Sequence, residues 1–134
     1  MFRELTIIIL LSALGSAFSL YHGWAPFPCA EQELEAGEIL LMDAQALDVI
    51  WLDARTLEEF EKDHIPGSIF FDENNWEAGV FALMEVWLGQ PRPIVIYCGS
   101  ASCGTSKRIA ERLRESLLEA EIYSLKGGWD AWQK

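Results

Sequence analysis

The sequence is poor in positive charge: ten lysines and arginines stand against 21 aspartates and glutamates, a formal net charge of −11 over 134 residues. So acidic a chain repels phosphate backbones and anionic headgroups, which disfavours nucleic acid or a charged membrane surface as partner. Internal repeats and low-complexity tracts are also missing, and 51% of the residues are hydrophobic. Both facts argue against disorder and for one domain with a real core.

Charge is absent from residues 5–20 as well. After Arg3 and Glu4, the stretch from Leu5 to Leu20 is apolar or small at nearly every position. It reads as an export signal or a membrane anchor at residues 1–20. Gly15-Ser16-Ala17 suits signal cleavage, whereas Tyr21, Trp24 and Phe27 suit an interfacial aromatic belt, so both fates stay open. Either places the domain outside the cytoplasm, in the periplasm or anchored facing it. Prolines mark residues 21–29 as a linker, and Cys29 reads as a spare or structural thiol.

What is present is organised around Ile94 to Leu113. Ile94-Val95-Ile96-Tyr97 is a short β-branched, apolar run bounded by Pro93 and a small-residue loop, the pattern of a buried strand. Beyond the loop, Ser106, Ile109, Ala110, Leu113 and Leu117 recur at helical spacing, with Thr105 or Ser106 available as a cap. Cys98 therefore leaves a strand end and faces a helix N-terminus. Unpaired amides and the helix dipole favour a thiolate there, and the thiolate is the nucleophilic form. The loop Gly99, Ser100, Ala101, Ser102, Cys103, Gly104, Thr105 can turn several amides toward one anion. A lone cysteine after a strand is more often a small buried hydrophobe; the loop is what raises the functional reading.

Upstream, residues 30–46 read as short helical turns broken at Gly37, with Glu31, Glu33, Glu35 and Glu38 outward and Leu34, Ile39, Leu40, Leu41 and Met42 inward. Val49-Ile50-Trp51-Leu52 is a second strand ending at Asp53-Ala54-Arg55, and Thr56 with Glu59 forms a capping-box pattern opening a helix to about Lys62. Asp53 and Arg55 could act as a catalytic pair, but at a strand end a structural network is the favoured reading. His64 invites comparison with a thiolate–imidazolium dyad. Ile69-Phe70-Phe71 is a third strand. A helix capped by Asn74 or Asn75 carries Trp76, Val80, Leu83 and Trp87 on one face, as core rather than cofactor contacts. Ile122 to Leu125 is a fourth strand, followed by the turn Lys126-Gly127-Gly128 and a last helical turn. Strands alternating with helices imply an α/β fold with a parallel sheet, helices on both faces, and the site at the carboxyl ends of the strands.

Trp51-Leu52-Asp53-Ala54-Arg55, Glu59-Phe60, His64-Ile65-Pro66-Gly67-Ser68, Val95-Ile96-Tyr97-Cys98 and Leu125 to Trp132 together resemble a single rhodanese-like domain over residues 30–134. The resemblance implies a rhodanese-like parallel five-stranded sheet with helices on both faces, one strand more than the pattern alone yields. It also implies sulfur transfer without a metal or cofactor. Cys98 would carry a sulfane sulfur as a persulfide, between a small sulfur-containing donor and a thiol acceptor, small molecule or protein. The family loop places a basic residue five positions after the cysteine, then a serine that starts the helix. Here Cys103 holds the basic position and Ser106 comes two residues late, which favours a persulfide or polysulfide donor over thiosulfate. The cysteine-to-arginine loop of the phosphatase-like and arsenate-reducing members is absent. Three readings stand: a sulfurtransferase on Cys98, a thiol–disulfide enzyme or sensor using Cys98 and Cys103, and a non-catalytic binding module.

Overall fold

In the computed structural model, which describes residues 33–100 and 102–134, five parallel strands run in the order β1 (Glu38–Ile39), β5 (Ile122–Leu125), β4 (Ile94–Tyr97), β2 (Ile50–Asp53), β3 (Ile69–Phe70). The helices are α1 (Leu41–Ala46), α2 (Leu57–Lys62), α3 (Trp76–Gly89), α4 (Thr105–Ser116) and α5 (Gly128–Trp132), with a 3-10 turn over Glu73–Asn75. The leader, the linker with Cys29, and Ala101 lie outside the described residues. Among those described, no helix is long and apolar enough to cross a membrane.

β4 is the central strand, and its four residues are fully buried. Successive side chains alternate between faces: Ile94 and Ile96 join Leu52, Leu83, Ile109 and Leu113 in one core, while Val95 and Tyr97 join Ile39, Ile65 and Leu125 in the other. On α4 the buried residues are Ser106, Ile109, Ala110 and Leu113, the expected helical stripe. Each buried Ile or Leu contributes about 1.5–3 kcal/mol of transfer free energy. Trp76, Val80, Leu83 and Trp87 of α3 pack on the same core, and Trp76 meets the Phe71 ring edge-on. Trp76 and Trp87 are partly buried and pack against this core.

Three local expectations are corrected. Residues 30–46 are not a set of broken helical turns: Glu38–Ile39 is the fifth strand, followed by α1. A two-residue strand has no periodicity of its own. It exists because Ser124 and Lys126 donate their amides to Gly37 and Ile39 carbonyls along β5, at 2.9 Å each. In the same stretch Leu34 and Met42 are exposed. Neither Thr105 nor Ser106 caps α4, whose N-cap is Gly104 with no side-chain bond. Asn74 and Asn75 do not supply a side-chain cap either; Asp72 accepts the Asn74 amide at 2.9 Å to open the 3-10 turn that leads into α3. At α2 the capping box is present with both bonds.

Glu38, read from the sequence as outward, has a side chain only 5% exposed. It accepts from Lys126 Nζ at 2.8 Å and the Glu35 amide at 2.9 Å, and pairs with Lys107 Nζ at 3.1 Å, clamping the edge strand to α4 and to the end of β5. Burial alone would raise its pKa, but the hydrogen bonds from Lys126, the Glu35 amide and Lys107 outweigh burial and hold the carboxyl at about 2 instead of 4.5. A depressed carboxylate stabilises the fold above its unfolded pKa and loses that contribution as pH falls through the folded one. Glu38→Gln should therefore cost about 1–3 kcal/mol near neutral pH. The gap to wild type should close between pH 4.5 and about 2. Urea unfolding across that range checks it; a gap independent of pH would rule out the charge as the cause.

Candidate active site

β4 delivers Cys98 to the carboxyl edge of the sheet, and the turn after β5 pins it there. The carbonyls of Cys98 and Gly99 accept the amides of Trp129 and Asp130 at 2.7 and 3.2 Å. That docking needs Gly127 and Gly128, both at positive φ (81° and 55°), and a Cβ on Gly128 would overlap the Cys98 carbonyl oxygen. The Lys126-Gly127-Gly128 motif is thus a support for the loop. The loop itself turns where the Cys103 amide donates to the Ser100 carbonyl at 3.1 Å.

Cys98 is 2% exposed. Its Sγ donates to the Cys103 carbonyl at 3.2 Å and stands 3.4 Å from Ser106 Oγ, which is 2.8 Å from Ser124 Oγ. A buried two-hydroxyl chain therefore lies behind the sulfur. From the sequence Ser106 is part of a helical stripe and a possible cap, and Ser124 only a member of the fourth strand; a polar residue in each of two adjoining buried elements was the available signal. The helix dipole argument favours a thiolate at Cys98, and burial works against it. Burial pushes the Cys98 thiol up and the neighbouring Cys103 adds to this, against the opposing amide and hydroxyl of Ser106. Cys103 goes the other way. Its own burial is outweighed by the Cys98 thiol, the amide and hydroxyl of Thr105 and the amide of Gly99, which hold it below the ordinary thiol value. Both thiols are free, Cys98 buried and Cys103 half-buried.

The thiols line a cleft of about 580 Å³ with Gly99, Ser100 and Thr105 on one side and Ala54 to Leu57, Glu59 and Phe70 to Asn74 on the other. Its charge is mainly negative, from Glu59, Asp72 and Glu73. Arg55 also borders it, but the guanidinium is committed: Nε and Nη2 bind Asp53 at 3.0 and 2.7 Å, Nη2 reaches the Asp63 carbonyl at 2.6 Å, and the plane lies 4.1 Å from the Trp129 ring centroid. Asp53 is completely buried and also accepts Tyr97 Oη at 2.7 Å. These contacts make Asp53 and Arg55 a brace between β2, β4, α2 and α5. Arg108 is engaged too, with Glu73 at 3.1 Å and Thr105 Oγ1 at 3.1 Å. His64 does not join the site. Its Nδ1 bonds to the Phe60 carbonyl at 2.8 Å and its ring stacks on Phe60, so no dyad with Cys98 forms.

The model of the rhodanese-like domain matches residues 31–134. The chain belongs to the rhodanese-like family. Among curated proteins, the thiosulfate sulfurtransferase GlpE of Pseudoalteromonas translucida is 33% identical over 86 residues, 64% of this chain and 74% of that protein. A tRNA sulfurtransferase of Desulfurococcus amylolyticus is 31% identical over 105 residues, 76% of this chain but 18% of that longer protein. The solved thiosulfate sulfurtransferase of Pseudomonas aeruginosa aligns with a TM-score of 0.56 at 24% identity, over 81% of this chain and 19% of that one, a likeness of fold. The rhodanese-like domain thus has sulfurtransferase relatives and the five-stranded parallel sheet that the sequence resemblance implied.

Proposed function

We propose that this rhodanese-like domain is a sulfurtransferase that carries its sulfur on Cys98. The supporting observation is the position of Cys98 Sγ, at a cleft wall, on a strand end held by Trp129 and Asp130, with the amide and hydroxyl of Ser106 at the first turn of α4 as donors to a developing thiolate. The Cys98 thiolate attacks the outer sulfur of a sulfane donor, the donor S–S bond breaks, and the donor leaves as a thiolate. A thiol acceptor then attacks the terminal sulfur of the Cys98 persulfide, and Cys98 is restored.

The charge of the cleft argues for the class of donor. With Arg55 and Arg108 committed to carboxylates, a dianion such as thiosulfate would meet Glu59, Asp72 and Glu73 without a free cation. A neutral or singly charged persulfide or polysulfide is the better fit. A binding module without catalysis is the second reading, favoured by the burial of Cys98.

Intact mass measurement of the reduced chain separates the two. Mixed with polysulfide, it should gain one sulfur on the peptide that contains Cys98, or register that sulfur as released sulfide, while thiosulfate at equal concentration should load at least tenfold less. No adduct and no sulfide, with both loop thiols still free, would favour the binding module.

A further inference from the structure

Two thiols of opposite character share the site, and one persulfide carrier needs only one of them. Cys98 Sγ lies 3.2 Å from the carbonyl of Cys103, across a turn closed by the Cys103 amide, and the thiols are close enough that each shifts the other's ionisation. Cys98 is buried at a pinned strand end, whereas Cys103 is half-buried on the loop and borders the same cleft. A second, more accessible thiol stands beside the residue that would hold the sulfur.

We propose that the Cys98–Cys103 pair gives this domain a second activity, the reductive release of sulfane sulfur as sulfide. The inference rests on the reading of Cys98 as sulfur carrier and extends it. The Cys103 thiolate attacks Cys98 Sγ of the persulfide, a bond forms between the two cysteine sulfurs, the bond from Cys98 Sγ to the terminal sulfur breaks, and hydrosulfide leaves with its proton. The terminal sulfur takes up two electrons as the cysteine pair is oxidised to a disulfide. A dithiol reductant resets the site by exchange and becomes a disulfide itself. The attacking thiolate belongs to Cys103, half-buried on the loop and bordering the cleft, and the inner sulfur it must reach belongs to Cys98 at the pinned strand end. Without the reductant the reaction stops after one turn, so the same pair limits how often the domain can release sulfide.

A single-turnover measurement tests this. Fully reduced wild-type chain, Cys103→Ser and Cys98→Ser are each mixed with polysulfide, excess donor is removed, and released sulfide and remaining alkylatable thiols are counted. Wild type should release about one sulfide per chain and lose both loop thiols; Cys103→Ser should keep the added sulfur and release at least tenfold less. Adding a dithiol should make release by wild type repeat. Sulfur held by wild type as long as by Cys103→Ser would overturn the proposal while leaving the carrier reading intact. Failure of Cys103→Ser to take up any sulfur, in a variant that unfolds as cooperatively as wild type, would defeat the carrier reading as well.

Discussion

Cys98→Ser should abolish sulfur transfer, lowering the rate by about a thousand-fold or more. A serine hydroxyl is hardly ionised near neutral pH, and an oxygen cannot carry the second sulfur through a persulfide. Serine keeps the size and the hydrogen-bonding positions of the side chain, so the contacts to the Cys103 carbonyl and Ser106 hydroxyl can persist and the fold should be retained. The assay is transfer from polysulfide to a small thiol acceptor, with unfolding of the variant followed in parallel. Activity surviving in Cys98→Ser would move the carrier to Cys103, the other thiol of the cleft. An equal loss in Cys103→Ser would instead make both thiols indispensable to transfer.

The second large effect concerns the brace beneath the site. Asp53→Asn should cost about 3–5 kcal/mol of stability, the usual result of removing one member of a buried ion pair. Asp53 is fully buried, and the Arg55 side chain is 4% exposed, so the guanidinium left behind is largely shielded from water. The other ligands of Asp53 offer no substitute. Tyr97 donates to Oδ2, and burial, the first of several causes, pushes its hydroxyl up to about 12, so it stays a neutral donor. A loss of that size is a large share of the roughly 5–15 kcal/mol that holds a typical domain together. Urea unfolding measures it, and a change below about 1 kcal/mol would mean that solvent or a rearrangement replaces the pair. Transfer per folded molecule separates the brace from a catalytic role: it should stay within a fewfold of wild type, and its disappearance in folded protein would make Asp53 catalytic.

Much of this domain is legible from residues close in sequence. The strand Ile94 to Tyr97 and the stripe Ser106, Ile109, Ala110, Leu113 announce a strand and a helix within twenty residues, and the structure has both. Thr56 and Glu59 mark the start of α2 because a capping box is made by side chains three positions apart. Segments that agreed in type and order carried the family resemblance, and with it the fifth strand. Where the decision belonged to a neighbour far along the chain, local pattern misled. Ser106 looked like a helix cap, but Ser124 on β5 draws its hydroxyl inward behind Cys98. Glu38 looked like one of a solvated row of glutamates, but Lys107 and Lys126 bury it as a clamp. His64 had the right chemistry for a dyad, and its ring is held instead by Phe60.

The surroundings of the two cysteines are the sharpest case. From sequence, Cys98 is the thiol at the strand end, facing the helix start, where a thiolate is favoured; both premises are true of the structure, but burial at that strand end opposes the thiolate. Sequence by itself determined that two thiols five positions apart would occupy one loop at the carboxyl edge of a parallel sheet. Only the tertiary structure decided their surroundings, a buried strand end for Cys98 and a half-buried loop position with amide donors for Cys103. The pKa of a thiol follows burial and the donors within hydrogen-bond reach, and here the docking of Trp129 onto the Cys98 carbonyl fixes the buried strand end, while the Thr105 and Gly99 amides turn toward Cys103.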